Sequence, residues 1–368
     1  MRRFEYGDDE INGTELLFSV ASMILGLGVL TLPRGIAKAV PSSDGWIAIL
    51  IAGLLCMMFT WVLAKLAIRF PKQPFTEFAP RIVGRPLAVV LFVFFFIAFA
   101  MFSSYEVRGA AEVAKEYLFT RTPVEVIGLI FFLVVIYAAS GPRVGIVRLN
   151  LLFLPFVIVI FVLVLVMNAG FFEFEQLKPV GISDWKKMGE GIEKSLFSFL
   201  GFECIVFYAA LMNRPKDTVK AAVIGMSIPL ILYSALFIVT IGVFSAKATA
   251  ELQYPAVELA KEIEVPGAIL ERFESFFFTI WLMTIFNSAA MTLDICIWIA
   301  GTFFRRSSKR TVAFALAPFI YLAGYLPKDL TQLSAYGRLF SYVDFFAGIL
   351  IPALLLVIAK LRGVSGSA

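Results

Sequence analysis

Apolar runs recur along the whole chain, and each is close to the length of a helix that crosses a bilayer. Such a helix needs about 20 residues, and the runs predict about ten spans, of which the fourth and ninth are short. They lie near residues 13–38, 45–69, 87–107, 123–140, 147–169, 194–213, 219–244, 271–304, 312–326 and 337–360. Of the 368 residues, 60% are hydrophobic and only 16% are charged, which is far from the composition of a soluble domain. The sequence therefore predicts an all-α membrane protein with one transmembrane domain over residues 1–368.

The first apolar run contains an interruption, Gly26-Leu27-Gly28, followed by Pro33. Glycine costs backbone entropy in a helix and proline removes a donor, so we expect the helix to break here. Backbone groups freed at that depth persist only where protein or a wet cavity satisfies them. One interpretation is a ligand site, with a ligand's carboxylate at the amides that open the outer half-helix and its ammonium at the carbonyls that close the inner half. The other is a seam where two helices pack closely.

The sixth span repeats this pattern. Residues 198–203 (SFLGFE) place a glycine in the middle of the span, and they echo residues 22–26 (SMILG) of the first span. Two halves of five spans, 13–169 and 194–360, must be inverted relative to each other because five is odd. Interrupted segments at corresponding positions of such halves indicate a transporter-type binding site.

Glu203 is a carboxylate near the predicted centre of the bilayer, where a charged group is costly and marks a functional site by default. Burial disfavours the charged form of a carboxyl group, so one hypothesis is a proton-sensitive role. The other hypothesis is that Glu203 only satisfies backbone amides freed by the two breaks. Both place Glu203 at the core of the site.

Polar side chains also occur in the eighth span, where Asn287 and Asp294 are two turns apart on one helical face. Such groups either line the pocket, coordinate an ion or hold helices together by hydrogen bonds, and we expect the last role for Thr284 and Thr292. The charged residues near the outer ends of spans three and eight are interpreted as structural ion pairs near the outer surface, with an extracellular gate as the alternative. These residues are Glu106, Arg108, Glu271, Arg272 and Glu274.

Arg and Lys residues are concentrated in the short connections on one predicted side of the membrane, including the cluster 305–310 (RRSSKR). This bias marks the cytoplasmic side, so we expect both termini in the cytoplasm. The cluster is interpreted as a topology determinant that also meets anionic lipid, not as a nucleic-acid site. On the outer side, residues 256–263 (AVELAKEI) predict a short amphipathic helix that covers an outer vestibule, with a solvated connector as the alternative.

The sequence lacks the residues that enzyme and metal sites need. Histidine is absent, and Cys56, Cys204 and Cys296 lie far apart inside apolar runs, so neither a disulfide framework nor a metal cluster is indicated. The interruption at Gly26 lacks the third glycine, the preceding strand and the lysine of a nucleotide-binding loop. We therefore expect no enzyme activity, no metal and no cofactor.

Residues 26–33 (GLGVLTLP), together with residues 198–203, resemble the paired first- and sixth-helix signatures of the amino acid-polyamine-organocation superfamily. Within that superfamily, the chain is similar to the B subunits of spore germinant receptors, the spore permease family. This closer resemblance depends on the chain length and on four short segments. They are residues 44–47 (DGWI), 106–108 (EVR), 120–123 (TRTP) and 271–276 (ERFESF).

The resemblance implies a LeuT-type five-plus-five inverted repeat with helices 1 and 6 interrupted and an amino acid held between spans one, three, six and eight. It also implies a spore inner-membrane location with A-type and lipoprotein C-type partner subunits. In particular, the backbone at Gly26, Gly28, Val29, Ser198 and Gly201 faces the ligand, while Ala98, Phe102, Phe202 and Asn287 or Ser288 shape its side-chain pocket. With the residues of the two interruptions, the candidate ligand-binding residues are Ser22, Gly26, Gly28, Val29, Ala98, Phe102, Ser198, Phe199, Gly201, Phe202, Glu203, Asn287 and Ser288.

The leading hypothesis is a nutrient-sensing membrane subunit, in which a small amino acid shifts a conformational equilibrium that partner subunits detect. The alternative is a proton- or sodium-coupled amino-acid transporter of the same superfamily. A purely structural membrane anchor leaves the two interruptions and Glu203 unexplained.

Overall fold

The computed structural model describes residues 9–263 and 273–366, and their backbone is almost entirely helical. The first half of the chain forms α1 (Gly13–Ile24), α2 (Gly28–Ala39), α3 (Gly45–Arg69), α4 (Phe75–Val83), α5 (Arg85–Tyr117), α6 (Val124–Ser140) and α7 (Arg143–Met167). The second half forms α8 (Trp185–Ser198), α9 (Ile205–Tyr208), α10 (Thr218–Glu251), α11 (Pro255–Lys261), α12 (Phe273–Phe303), α13 (Lys309–Gly324), α14 (Leu330–Phe345) and α15 (Ile351–Leu361). A π-helical turn, Phe346–Leu350, joins α14 to α15.

Six helices in the described part of the chain are long and apolar enough to cross a bilayer, and two bent helix pairs add one span each. The six are α3, α5, α7, α10, α12 and the joined α14–α15. The helices α6 and α13, with 17 and 16 residues, correspond to the short fourth and ninth predicted spans. When the shorter α6 and α13 are counted as spans, a broken pair followed by four further spans occurs twice along the chain, which is the five-plus-five order that the resemblance implies. The exact division into 13–169 and 194–360 stays a prediction.

Both predicted interruptions are present. The axis bends by 51° between α1 and α2, and it bends by 42° between α8 and the segment Phe202–Leu211 that contains α9. A capping box sets the start of α1, since the Asn12 side chain accepts from the Glu15 amide while the Glu15 side chain accepts from the Asn12 amide. The interruption at residue 25 therefore follows a helix that is well defined at its beginning.

Large apolar side chains are exposed on the outside of the helix bundle. Tyr137, Phe319, Val159 and Ile231 have between 66% and 83% of their surface exposed. A soluble protein rarely leaves so many large apolar side chains in water, whereas lipid covers them. This belt and the lengths of the helices make the chain an integral membrane protein.

The helix α12 lies at the centre of the bundle. Within its apolar part, 78% of the residues are buried, and it packs against α5, α7, α6 and α1. Its central position brings its polar side chains against the break between α1 and α2. The break is thus surrounded by protein, as backbone at membrane depth requires.

Several predicted boundaries differ from the structure. The third span continues to Tyr117 because Arg108 is buried and pairs with Glu112 one turn later at 2.6 Å, so charged residues extend the helix beyond its apolar run. The sixth and tenth spans likewise begin earlier than predicted, at Trp185 and Leu330. The short helix predicted at 256–263 is confirmed as α11, and it packs against α2 and α12. It is therefore a cover over these helices and not a solvated connector.

Candidate ligand site at the two helix breaks

Side chains from other spans bind several of the backbone groups that the first break frees. The Leu27 amide donates to both carboxylate oxygens of Glu106 on α5, at 3.1 and 3.2 Å. The Gly26 carbonyl accepts from the indole N–H of Trp281 on α12 at 3.2 Å. An unpaired amide or carbonyl at this depth is costly, so these side chains stabilise the open helix.

The end of the inner half-helix α1 is held in the same way. The carbonyl of Ile24 accepts from the Tyr233 hydroxyl on α10 at 2.7 Å. One turn before the break, the Ser22 hydroxyl accepts from the side-chain amide of Asn287 on α12 at 3.4 Å. On one interpretation of the sequence, the carbonyls that end α1 meet a ligand's ammonium. At Ile24 and Gly26, these carbonyls instead accept from side chains of the protein.

Gly26 leaves the space that the Glu106 carboxylate occupies. A Cβ at position 26 would lie 2.6 Å from Oε1 and 2.8 Å from Oε2 of Glu106, far inside van der Waals contact. A Cβ at Gly28 would lie 3.8 Å from the nearest atoms of Ser198, which is ordinary contact. Any larger residue at position 26 would therefore displace the Glu106 carboxylate from this place.

At the second break, Gly201 has a φ of +117°, in a region that side chains other than glycine's rarely adopt. Its amide donates to Oε2 of Glu203 at 2.9 Å, and a Cβ at this position would lie 3.1 Å from the carbonyl oxygen of Met23 on α1. The two breaks are in direct contact at this point. The bond from Gly201 supports the hypothesis that Glu203 satisfies a freed backbone amide.

The Glu203 side chain also lies close to that of Asp344 on α14, directly before the π-helical turn. Both side chains are fully buried, and Gly348 in the π-helical turn leaves room for the Glu203 carboxyl group. A hydrogen bond between two carboxyl groups requires a proton on one of them. This contact keeps the proton-sensitive role of Glu203 open as a second hypothesis beside the structural one.

A cavity of about 480 Å³ lies next to the breaks and opens to the face of the bundle opposite the N-terminus. Residues of both breaks line it, namely Ile24 and Gly28 from the first and Ser198 and Leu200 from the second. On α5 it is lined by Phe102, Tyr105 and Glu106, and on α14 by Gly337, Phe340 and Ser341. The cavity is the size of a small-molecule site.

Charges are distributed unevenly around this cavity. Among its lining residues, Glu106 is the one acidic side chain, and its residue is only 2% exposed. Four basic side chains also line it, and of these Lys38 and Arg338 are exposed at its mouth while Arg34 and Lys194 are half-buried. The cavity therefore has one buried negative group beside the first break and a basic rim.

The structure places the sequence-predicted site residues in two groups. Gly28, Phe102 and Ser198 line the cavity. The others are buried behind that lining, packed around the two breaks. They are Ser22, Gly26, Val29, Ala98, Phe199, Gly201, Phe202, Glu203, Asn287 and Ser288.

The polar residues of α12 have separate roles. Ser288 donates to Glu106 at 3.0 Å, so it belongs to the first break. Thr284 and Thr292 donate to carbonyls of α12 itself, and the prediction that they hold neighbouring helices together is wrong. Asp294 lies toward the N-terminal face of the bundle, opposite the mouth of the cavity, where it pairs with Lys309 at 2.6 Å and with Arg143 at 3.4 Å.

The expectation of structural ion pairs at Glu106 and Arg108 holds for Arg108 and is wrong for Glu106. Both residues are buried, and they have different partners, since Glu106 binds the first break while Arg108 pairs with Glu112 and lies over the Tyr325 ring at 4.6 Å. Glu271 and Arg272 lie outside the described residues.

Sequence reasoning missed Asp344 and the position of Glu106, two buried carboxylates that lie at the breaks. Asp344 interrupts the apolar run 337–360, and the same rule that selected Glu203 also selects it. The sequence placed Glu106 near the outer surface of the membrane because its apolar run ends at residue 107. Nothing in the sequence pairs Tyr233 or Trp281 with the first break, because these contacts join distant parts of the chain.

Comparisons with known proteins agree with this architecture. The model of the spore permease family, described as "Spore germination protein", matches residues 10–333. Spore germination protein GerLB of Bacillus cereus is 36% identical over 368 residues, covering 100% of this chain and 98% of that protein. Spore germination protein YndE of Bacillus subtilis (strain 168) is 30% identical, covering 96% of this chain and 97% of that protein.

Among solved structures, the crystal structure of MhsT in complex with L-phenylalanine has a TM-score of 0.71 to this chain. It covers 95% of this chain and 89% of that chain at 15% sequence identity. Likeness at this identity shows the fold alone, and it confirms the LeuT-type arrangement that the sequence predicts.

Proposed function

Because the chain belongs to the spore permease family of spore germination proteins, we propose that it is the nutrient-sensing membrane subunit of a germination receptor. In this proposal it binds a small amino acid at the interruptions of helices 1 and 6. The observation that carries the proposal is the cavity, because Ile24 and Gly28 of one break and Ser198 and Leu200 of the other line the same space. A ligand there contacts both bent spans at once.

The same proposal includes a location and partners. The chain lies in the spore inner membrane with both termini in the cytoplasm, and it works with an A-type subunit and a lipoprotein C-type subunit. Arg and Lys residues are concentrated in the connections on the same side of the membrane as the N-terminus, and this bias supports the orientation. It places the mouth of the cavity on the outer side, where a nutrient arrives.

Signalling follows from the position of the cavity between elements that are joined by bends. On one side of it lies α2, which is set at 51° to α1, and on another lies α8, which is set at 42° to the segment after it. A ligand that binds one arrangement of these elements more tightly than another shifts the equilibrium by its differential affinity. Partner subunits detect the shifted population.

The proposal is tested by filling the cavity without disturbing the bundle. Gly35 lines the cavity, and a Cβ there meets no atom within 4 Å, so Gly35→Leu places a side chain in the cavity with little strain. The matched control is Gly301→Leu, since Gly301 lines a different cavity on the N-terminal side and is equally open. Binding of the 20 common amino acids to the purified protein in nanodiscs is measured for both variants and the parent.

We expect at least one amino acid to bind the parent protein and the Gly301→Leu variant. We expect the Gly35→Leu variant to bind it about 100-fold more weakly, which corresponds to about 2.7 kcal/mol. If no amino acid binds the parent, the proposed function is wrong. Equal binding by both variants would show that the ligand lies elsewhere.

Amino-acid transport is the second candidate function, and one observation favours it. The cavity opens to one face, while the ion pairs of the buried Asp294 carboxylate with Lys309 and Arg143 join helices on the other face, and alternating access needs such contacts to form and break. Uptake of the bound amino acid into proteoliposomes separates the two functions. Accumulation that depends on a proton or sodium gradient identifies a transporter, and binding without uptake identifies a sensor.

A further inference from the structure

Glu106 is a buried carboxylate without a cationic partner in the described part of the chain. Its hydrogen-bond donors there are the Leu27 amide and the Ser288 hydroxyl, and the ion pairs found among residues 9–263 and 273–366 all involve other carboxylates. A buried charge is costly unless it is paired. Two neutral donors leave part of its accepting capacity unused, since a carboxylate offers about four lone-pair sites.

The open side of Glu106 faces the cavity. Glu106 lines it together with Gly28, Phe102 and Ser198, so a ligand in the cavity reaches the carboxylate. One of the helix amides that would otherwise meet an anionic ligand group, that of Leu27, already donates to Glu106. The group that fits beside the first break is therefore a cation that can donate hydrogen bonds.

The rest of the cavity has the opposite charge. Arg34, Lys38, Lys194 and Arg338 line it, and no second acidic residue does so among the described lining residues. Because Lys38 and Arg338 are exposed, water screens their charges, and we expect them to contribute less to affinity than a buried group does.

We infer that the ligand binds with its amino group at Glu106 and its carboxylate toward the basic rim, the reverse of the orientation that the helix ends alone predict. The inference rests on the proposed function, and it names the class of ligand as a molecule with a primary ammonium group. The ammonium donates to the Glu106 carboxylate, which it pairs electrostatically. The carboxylate of the ligand meets Arg34 and Lys194 nearer to the mouth.

The test compares three forms of each of three amino acids. For L-alanine, L-leucine and L-phenylalanine, the probes are the amino acid, the carboxylic acid without the amino group and the amine without the carboxylate. Binding of all nine compounds to the purified protein in nanodiscs is measured at constant pH. We expect the amine to bind about tenfold more weakly than its amino acid. We expect the acid to bind at least about 100-fold more weakly than the amino acid, because only the acid leaves the buried Glu106 carboxylate without a cation.

Two variants separate the ends of the ligand. Glu106→Gln keeps an oxygen that accepts from the Leu27 amide and removes the charge, so we expect folding to persist and the preference for amine over acid to fall at least tenfold. Lys194→Gln is the comparison at the rim, and we expect it to weaken binding of the amino acid and the acid but not of the amine. Thermal unfolding of each variant without ligand shows whether the fold is kept.

The outcomes are distinct. If the acid binds as tightly as the amino acid, or if Glu106→Gln leaves the preference unchanged, the inferred orientation is overturned while amino-acid binding stands. If the amines bind and no amino acid does, the proposed function fails and the role of Glu106 stands. If none of the probes and none of the 20 amino acids binds, both are overturned.

Discussion

At the scale of single residues, the lack of a side chain at Gly26 and the position of the Glu106 carboxylate depend on each other. The glycine leaves the space, and the carboxylate fills it while accepting from the Leu27 amide. A Gly-x-Gly pattern in a membrane helix is therefore not evidence by itself that a ligand touches both glycines. Here the two glycines have different neighbours, and only Gly28 lines the cavity.

This difference gives a matched pair of variants. We expect Gly26→Ala to displace Glu106 from the Leu27 amide and to lower the free energy of unfolding by about 1–3 kcal/mol, the cost of leaving a buried polar group without its partner. Gly28→Ala meets only ordinary contacts with Ser198, so we expect a change well below 1 kcal/mol or a gain from helix propensity. Thermal unfolding in detergent measures both, and equal stability of the two variants would contradict the role given to Gly26.

At the scale of elements, the orientation of α8 depends on a contact in the loop that precedes it. The Asp44 carboxylate, just before α3, accepts from the amides of Gly181, Ile182 and Ser183 at 2.6, 3.0 and 2.9 Å. Burial acts to raise the pKa of Asp44, but the hydrogen bonds from Gly181, Ser183 and Ile182 outweigh it and hold the pKa below its usual value. The ionised carboxylate thus fastens the approach to α8.

A pH dependence follows. Because the pKa of Asp44 is lower in the folded state, its stabilising contribution is complete above the unfolded pKa of about 3.9 and is lost as the pH falls through the folded value. We expect Asp44→Asn to lower the free energy of unfolding by about 1.5–3 kcal/mol at pH 7, and the difference from the parent to shrink as the pH falls below about 4.

Unfolding midpoints of the parent and of Asp44→Asn across this pH range measure the effect. The control is Asp184→Asn, measured at pH 7, because Asp184 is exposed in the same loop and its side chain does not cap α8. A difference between Asp44→Asn and the parent that stays constant with pH would contradict the role of the ionised carboxylate.

At the scale of the whole molecule, one buried carboxylate on the N-terminal side joins four helices. Asp294 on α12 pairs with Arg143 on α7 and with Lys309 on α13, and it accepts from the Tyr208 hydroxyl on α9 at 3.1 Å. Opening this face requires these contacts to separate. Asp294 does not line the cavity on the other face.

The three cysteines of the chain are free and buried, so their labelling reports whether these contacts separate. We expect Asp294→Asn to leave two cations without their carboxylate and to raise the rate at which a water-soluble maleimide labels Cys204 or Cys296 by about tenfold, equivalent to about 1.4 kcal/mol. The control is Asp217→Asn, since Asp217 is exposed and its side chain does not cap α10. Unchanged labelling in Asp294→Asn would show that the ion pairs do not close this face.

The sequence by itself determined the features that depend on neighbouring residues. Apolar runs of bilayer length predicted the spans, because hydrocarbon requires helices of that length. The glycines at 26, 28 and 201 predicted both breaks, because the local backbone cost of glycine does not depend on what packs around it. The intramembrane carboxylate Glu203 was found by a local argument of the same kind, and that argument also applies to Asp344.

Only the tertiary structure decided what occupies the breaks. Glu106 lies 79 residues from Leu27 along the chain, and Trp281 and Tyr233 lie farther still from the residues they bind. Contacts between distant spans depend on how helices pack and rotate, which hydropathy and spacing do not encode. For that reason the sequence located the first break correctly but assigned its amide to a ligand's carboxylate, whereas the fold gives that amide to Glu106 and turns the negative group toward the cavity.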